Sequence, residues 1–116
     1  MGFPTTEKNA VADAQVARGG YYSLHSGDPG TTGANECAGG SPAYARKLST
    51  LPAASSGSSV GSEVEFDLLG VATYWGRWSA VSAGTFRYGG ILPGSGVGIA
   101  ATQTKVKLTP TIGPVS

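Results

Sequence analysis

Sulfur, charge and large aliphatics are all scarce in this chain. One cysteine in 116 residues excludes an internal disulfide, so the fold must stand without one. One histidine excludes the paired imidazoles or thiolates that structural zinc sites bring at short spacing. Charged residues make up 13% of the chain, against roughly 25% in an average soluble protein. The formal net charge is +1, and the closest approaches to a basic cluster are Arg46–Lys47 and Lys105/Lys107. Counterion release on nucleic acid requires a denser array of cations, so no nucleic-acid partner is expected. No stretch reaches the ~18 apolar residues of a membrane span. Met1–Ala10 lacks the basic start and apolar run of a signal peptide. The expectation is a protein made in the cytosol and soluble there, with no membrane partner.

Leu, Ile, Val and Phe number 22, against 19 Gly and 7 Pro. That shortage accompanies disorder only where net charge is high, and here it is not. The length suits one folded domain with a thin core. Small free-standing domains use surface charge to stay soluble and monomeric. A surface this poor in charge points to one covered by neighbours, and hence to an assembly.

What is present reads as mostly β. Thr5–Arg18 is the one helical stretch: Thr5 or Thr6 can cap it, Glu7 suits its positive end, and Gly19–Gly20 stop it. Its apolar residues Ala10, Val11, Ala14 and Ala17 are small, so it can lie close to a surface, of this chain or another subunit, while burying little area. Strands are expected at Tyr21–His25, more weakly at Tyr44–Leu51, then at Glu63–Leu68, Ala72–Ser79, Thr85–Ile91 and Thr102–Thr109. The acidic face of Glu63–Asp67 is matched by Lys105 and Lys107, as opposed strands would allow. Gly-, Ser- and Pro-rich runs at Pro52–Ser62, Ser82–Gly84 and Pro93–Gly98 separate the strands. The fold expected is a small antiparallel β-sandwich or barrel with one short N-terminal helix and long loops. Residues 1–20 form the helix or arm, 21–109 the β domain, and 110–116 an extended tail.

Several patterns invite a chemical reading. Gly57–Gly61 spells Gly-x-Ser-x-Gly, but a nucleophile elbow turns from strand into helix, and here a strand follows. Gly94–Gly98 is glycine-rich without the Gly-Lys-Ser/Thr ending of a phosphate loop, and reads as a hairpin connection. Ser23, His25 and Asp28 are the residue types of a hydrolytic triad, and period two puts Ser23 and His25 on one strand face. Asp28, however, already serves its own turn. Asp28-Pro29-Gly30-Thr31 fits a type II turn whose Asp side chain caps a backbone N–H. His25, Asp28, Glu36 and Cys37 lack both zinc-type and calcium-loop spacing, so no metal or cofactor is expected. Cys37 has no neighbouring cation in sequence to lower its pKa. Tyr74, Trp75, Trp78, Phe86 and Tyr88 read as core rings, with a sugar-binding platform as the alternative. Trp75 and Trp78 have opposite parity, so one of them is left for a subunit interface.

The stretch from Tyr21 to Lys47 contains Ser23-Leu24-His25, Gly27-Asp28-Pro29-Gly30, Thr32-Gly33-Ala34-Asn35-Glu36 and Gly39–Lys47. It resembles a family of small tailed-phage virion proteins, many from phages of actinobacteria, whose N-terminal part reads "SLHTxDPGxTGxxE" and then "GGxPAYxRK". "GRWSAVSAGTFRYGG" is similar to that family's second signature. Ser26 stands where Thr is common, and Cys37 where an apolar or small residue is usual. The resemblance implies a virion component with no enzymatic role and no particular place on the particle. Low charge, abundant Gly and Ser, a docking-type helix and extended arms suit a capsid decoration or minor capsid protein; the alternative is a tail-fibre or tail-tip accessory touching the host. A free carbohydrate-binding module is a second alternative. The partners implied are further copies of the chain, as a trimer, and the major capsid protein or, alternatively, tail proteins. Ser26–Ala43 lacks strand or helix pattern, and so long a loop is usually functional or externally supported. It reads as a contact surface with His25 at its base and Glu36 and Arg46 as polar anchors. His25, Asp28, Glu36, Arg46, Trp75 and Trp78 are the interface candidates.

Overall fold

A computed structural model describes residues 3–94 and 96–113. The chain is mainly β, as expected, and builds three antiparallel sheets in a sandwich-like arrangement beside one helix. Helix α1 spans Thr5–Ala17. Eight strands follow: β1 Tyr21–His25, β2 Lys47–Leu48, β3 Ser59–Val60, β4 Val64–Ala72, β5 Tyr74–Trp78, β6 Phe86–Ile91, β7 Val97–Leu108 and β8 Thr111–Ile112. The larger sheet has the order β2-β1-β5-β6. The ribbon β4–β7 packs on its inner face, and β3–β8 forms a small two-stranded patch.

Strand alternation fills the core. Tyr22 and Leu24 from β1 meet Val64, Phe66, Leu68 and Ala72 from β4, with Val106 and Leu92 closing the cluster. The thin supply of aliphatics is supplemented by rings: Tyr44 stacks on Phe66 with centroids 6.2 Å apart. On the ribbon's outer face Glu65 opposes Lys107 and Asp67 opposes Lys105. Lys105 Nζ lies 2.9 Å from Asp67 and 3.8 Å from Glu65, so the charge match read from the sequence is the actual register.

Three expectations are corrected. Ala10, Val11, Ala14 and Ala17 all face solvent; the helix instead turns Asn9, Ala12, Gln15 and Val16 inward. Polar pairing decides this: Asn9 Oδ1 accepts from Gly57 N at 2.7 Å, and Asp13 Oδ1 from Ala54 N at 2.7 Å. The N-cap is Pro4, without a side-chain bond, so neither Thr5 nor Thr6 caps. The chain also does not leave the domain at Pro110. Thr111–Ile112 pairs with Ser59–Val60 and buries Ile112, because an apolar residue beside a strand edge gains by covering it. The final three residues of the expected tail lie outside the described residues. In addition, β7 begins at Val97, five residues before the expected start, and β3 arises inside a run that composition marks as loop.

Candidate functional site

The alternation of β1 divides the motif between two faces. Leu24 enters the core, while Ser23 and His25 point to the outer face of the large sheet, and both are fully buried (0% exposed). What buries them is the segment from 26 to 37, which folds over that face as a third layer before residues 40–44 pass to the β4–β7 ribbon. Gly76 and Gly89, paired in register on β5 and β6, leave a trough beneath it. A Cβ on Gly76 would stand 2.6 Å from Ser23 Oγ and 2.7 Å from His25 Nε2, and one on Gly89 would stand 2.7 Å from Pro29.

A chain of hydrogen bonds runs through this layer. His25 Nδ1 lies 2.7 Å from the Ala34 carbonyl, which can only accept, so Nδ1 carries the proton. Nε2 is then the acceptor for Ser23 Oγ–H at 2.7 Å, and Ser23 Oγ accepts in turn from Trp78 Nε1–H at 2.9 Å. Burial pushes the His25 pKa below its ordinary value; the Ala34 contact and Glu36 oppose the shift, and Arg46 adds to it. Neutral His25 is thus the form this arrangement needs.

Arg46 ties the layer shut. Its Nε and Nη2 hold Glu36 in a fork at 3.0 and 2.9 Å, and its Nη1 donates to the carbonyls of Ala80 and Ala83 at 3.1 and 2.8 Å. The guanidinium lies 3.5 Å above the Trp78 ring. Planar geometry and five donors make Arg the one side chain able to serve all of these at once. Tyr44 Oη donates to Glu36 Oε2 at 2.9 Å and accepts from Leu24 N at 3.0 Å. Burial, aided by Glu36, raises the Tyr44 pKa far above the usual phenol range.

The tip of the layer is closed by its own backbone. Gly30 N donates to Asp28 Oδ1 at 2.8 Å, the cap expected from the sequence, and Gly30 takes φ 59°. Pro29 O accepts from Gly33 N and Ala34 N, and Ser26 N donates to Asn35 O, each at 3.0 Å. Asn35 sits at φ 62°, a region Asn tolerates, and its Nδ2 donates to Asp28 O at 3.0 Å. Gly33 packs its bare Cα against the Trp78 ring, with φ 77° and no room for a Cβ. Glu36 and Cys37 then return beside β1, with Cys37 N donating to Leu24 O at 2.9 Å.

The six sequence candidates therefore separate. His25, Glu36, Arg46 and Trp78 meet in one internal network, and their side chains hold the loop in place. Asp28 is exposed at the turn, away from His25. Trp75, on the opposite face, is half-buried beside a cavity. The Ser23–His25 pair has no solvent access for a substrate and no carboxylate behind it. Ser59, the central serine of Gly57–Gly61, is buried in β3 and donates to Pro52 O at 2.6 Å. Among the described residues no three His, Cys, Asp or Glu side chains converge. Burial and Glu36 raise the Cys37 pKa, which disfavours its thiolate. Tyr44, Gly33, Gly76 and Arg77 are the structural residues that sequence reasoning missed. Tyr44 was the readable one, since it shares parity with Arg46.

No family model, curated protein or solved structure matches the chain.

Proposed function

We propose that this chain is a virion structural subunit that docks on the particle surface as a capsid decoration or minor capsid protein. The observation that carries the reading is the outer face of the β4–β7 ribbon. One half is charged and satisfied within the chain by Lys105, Asp67 and Glu65. The rest of the ribbon leaves Leu69, Val71 and Ile99 exposed to solvent, Ile99 at 60%. Among the described residues neither ribbon strand pairs with a third strand. An open edge beside exposed aliphatics is a surface that native proteins normally cover. Further copies of this chain, as a trimer, and the major capsid protein are the proposed partners, and closed rings are the usual form of such contacts. The layer over β1 suits the same role: residues 26–37, bonded through His25, Glu36 and Arg46, form a firmly held cover on one face of the subunit.

The test is incorporation. Val71→Asp and Ile99→Asp should keep the melting temperature of the isolated chain but lose their place on particles imaged by cryo-microscopy. Density on capsomers supports the decoration reading, and density at the tail supports the accessory alternative. Variants that incorporate like the parent chain overturn the contact surface, and a particle without this chain overturns the role.

A further inference from the structure

The inner face of the large sheet extends past the two-stranded ribbon, and the uncovered part is a cavity. It measures about 640 Å³ and is walled by Trp75, Tyr88 and Tyr22, by Arg77 and Arg87, and by Gln15 at the end of α1. A smaller hollow of about 190 Å³ shares Tyr22 and Trp75 with it. The larger volume lies in the range of about 300–1,000 Å³ typical of small-ligand sites. The rings form a continuous wall: centroids are 5.9 Å apart for Tyr22–Trp75 and 5.8 Å for Trp75–Tyr88.

Two features are unexplained by folding. The Tyr22 hydroxyl is buried and has no hydrogen-bond partner among the described residues, a state that ordinarily costs stability. The cations are also unmatched. Arg77 is held by the carbonyls of Gln15 and Gly19 at 2.9 and 3.2 Å and by Gln15 Oε1 at 2.8 Å. Arg87 Nε donates to Arg18 O at 3.0 Å. Among the described residues neither Arg77 nor Arg87 pairs with a carboxylate. Burial lowers the Arg77 pKa; Tyr22 opposes this, and the like charges of Arg87 and Arg18 add to it.

We propose that this cavity binds a carboxylate-bearing sugar, with the ring lying on the Trp75–Tyr88 wall and the carboxylate held by Arg87, the buried charge of Arg77 lying behind it. Each half of the lining asks for one half of such a ligand. Aromatic faces suit the C–H faces of a pyranose, and an arginine fork suits a carboxylate. A neutral sugar leaves the arginines unmatched, a bare anion leaves the rings exposed, and one acidic side chain fills little of the volume. This assignment goes beyond the virion role and does not rest on it.

The test is titration of the full chain with digalacturonate, cellobiose, sulfate and triglutamate, followed by calorimetry and tryptophan fluorescence. Digalacturonate should bind at least ten-fold more tightly than each of the others and perturb Trp75 emission. Arg87→Gln and Tyr88→Ala, both at the open rim, should each weaken it ten-fold or more while melting like the parent chain. Silence toward digalacturonate, equal affinity for cellobiose, sulfate or triglutamate, or indifference to Arg87→Gln overturns the proposal.

Discussion

His25 is the only histidine, which makes its protonation directly observable. Its ordinary pKa is 6.5 and folding lowers it. Above that value the ring is neutral in both folded and unfolded chains. Below it the unfolded chain takes up a proton that the folded ring refuses, so stability present at neutral pH is lost as pH falls. The slope is at most about 1.4 kcal/mol per pH unit, and it ends once the folded ring also protonates. The ring-proton NMR signal should therefore stay unshifted through pH 6.5 and move only at lower pH. A normal titration would show that the buried chain from Trp78 to Ala34 does not form. Arg46 makes a second prediction at this scale. Arg46→Lys keeps the charge but loses the fork to Glu36, one of two carbonyl contacts and the stacking on Trp78. A loss of about 2 kcal/mol in urea denaturation is expected. Lys105→Ala, at an exposed pair, should leave the midpoint nearly unmoved.

At the scale of elements, the glycines of β5 and the loop test whether the outer layer is closely packed. Gly76→Ala drives a methyl into the Ser23–His25 pair and should cost about 3 kcal/mol. Gly30→Ala meets nothing within 4 Å at φ 59°, so only backbone strain of about 1 kcal/mol is expected. Chemical denaturation of the two variants separates crowding from conformation. These same elements show what the sequence could reveal. The alternating runs that became β4 and the end of β7, and the Lys105–Asp67 match, were legible because period two and charge are local signals. Asp28-Pro29-Gly30 was legible because turn chemistry is local as well. The helix orientation was not, since Asn9 and Asp13 find partners 48 and 41 residues away. Nor was the internal network of Glu36 and Arg46. Their partners Trp78, at the end of β5, and Ala80 and Ala83, in the β5–β6 connection, are linked to the loop by no spacing rule. The cavity was invisible for a similar reason: its walls come from β1, β5, β6, the end of α1 and Thr111–Gly113, which no local pattern links.

For the whole molecule, low charge and a thin core become two sides of one arrangement. The chain measures 47 × 28 × 24 Å, and a body this small and elongated keeps much apolar area at its surface. Leu69, Val71 and Ile99 are part of that area, and the charges beside them are already paired within the chain. Association through this face should therefore be insensitive to salt. Raising ionic strength to about 0.5 M, which screens exposed charge within a few ångströms, should leave the association constant of the isolated chain unchanged or raise it. Sedimentation at two salt concentrations checks this, and a steep fall would assign the contact to charge.

The layer over β1 is pinned at both ends and along its underside, yet its crest is not. Ser26–Asn35 and Arg46–Glu36 fix where the segment begins and returns, while Thr31 and Thr32 between them are exposed. Lineages of this chain are thus free to alter that crest, in length or in character, without disturbing what lies beneath. An insertion between Thr31 and Thr32 would change what the molecule presents outward and leave the hydrogen-bonded chain from Trp78 to Ala34 in place.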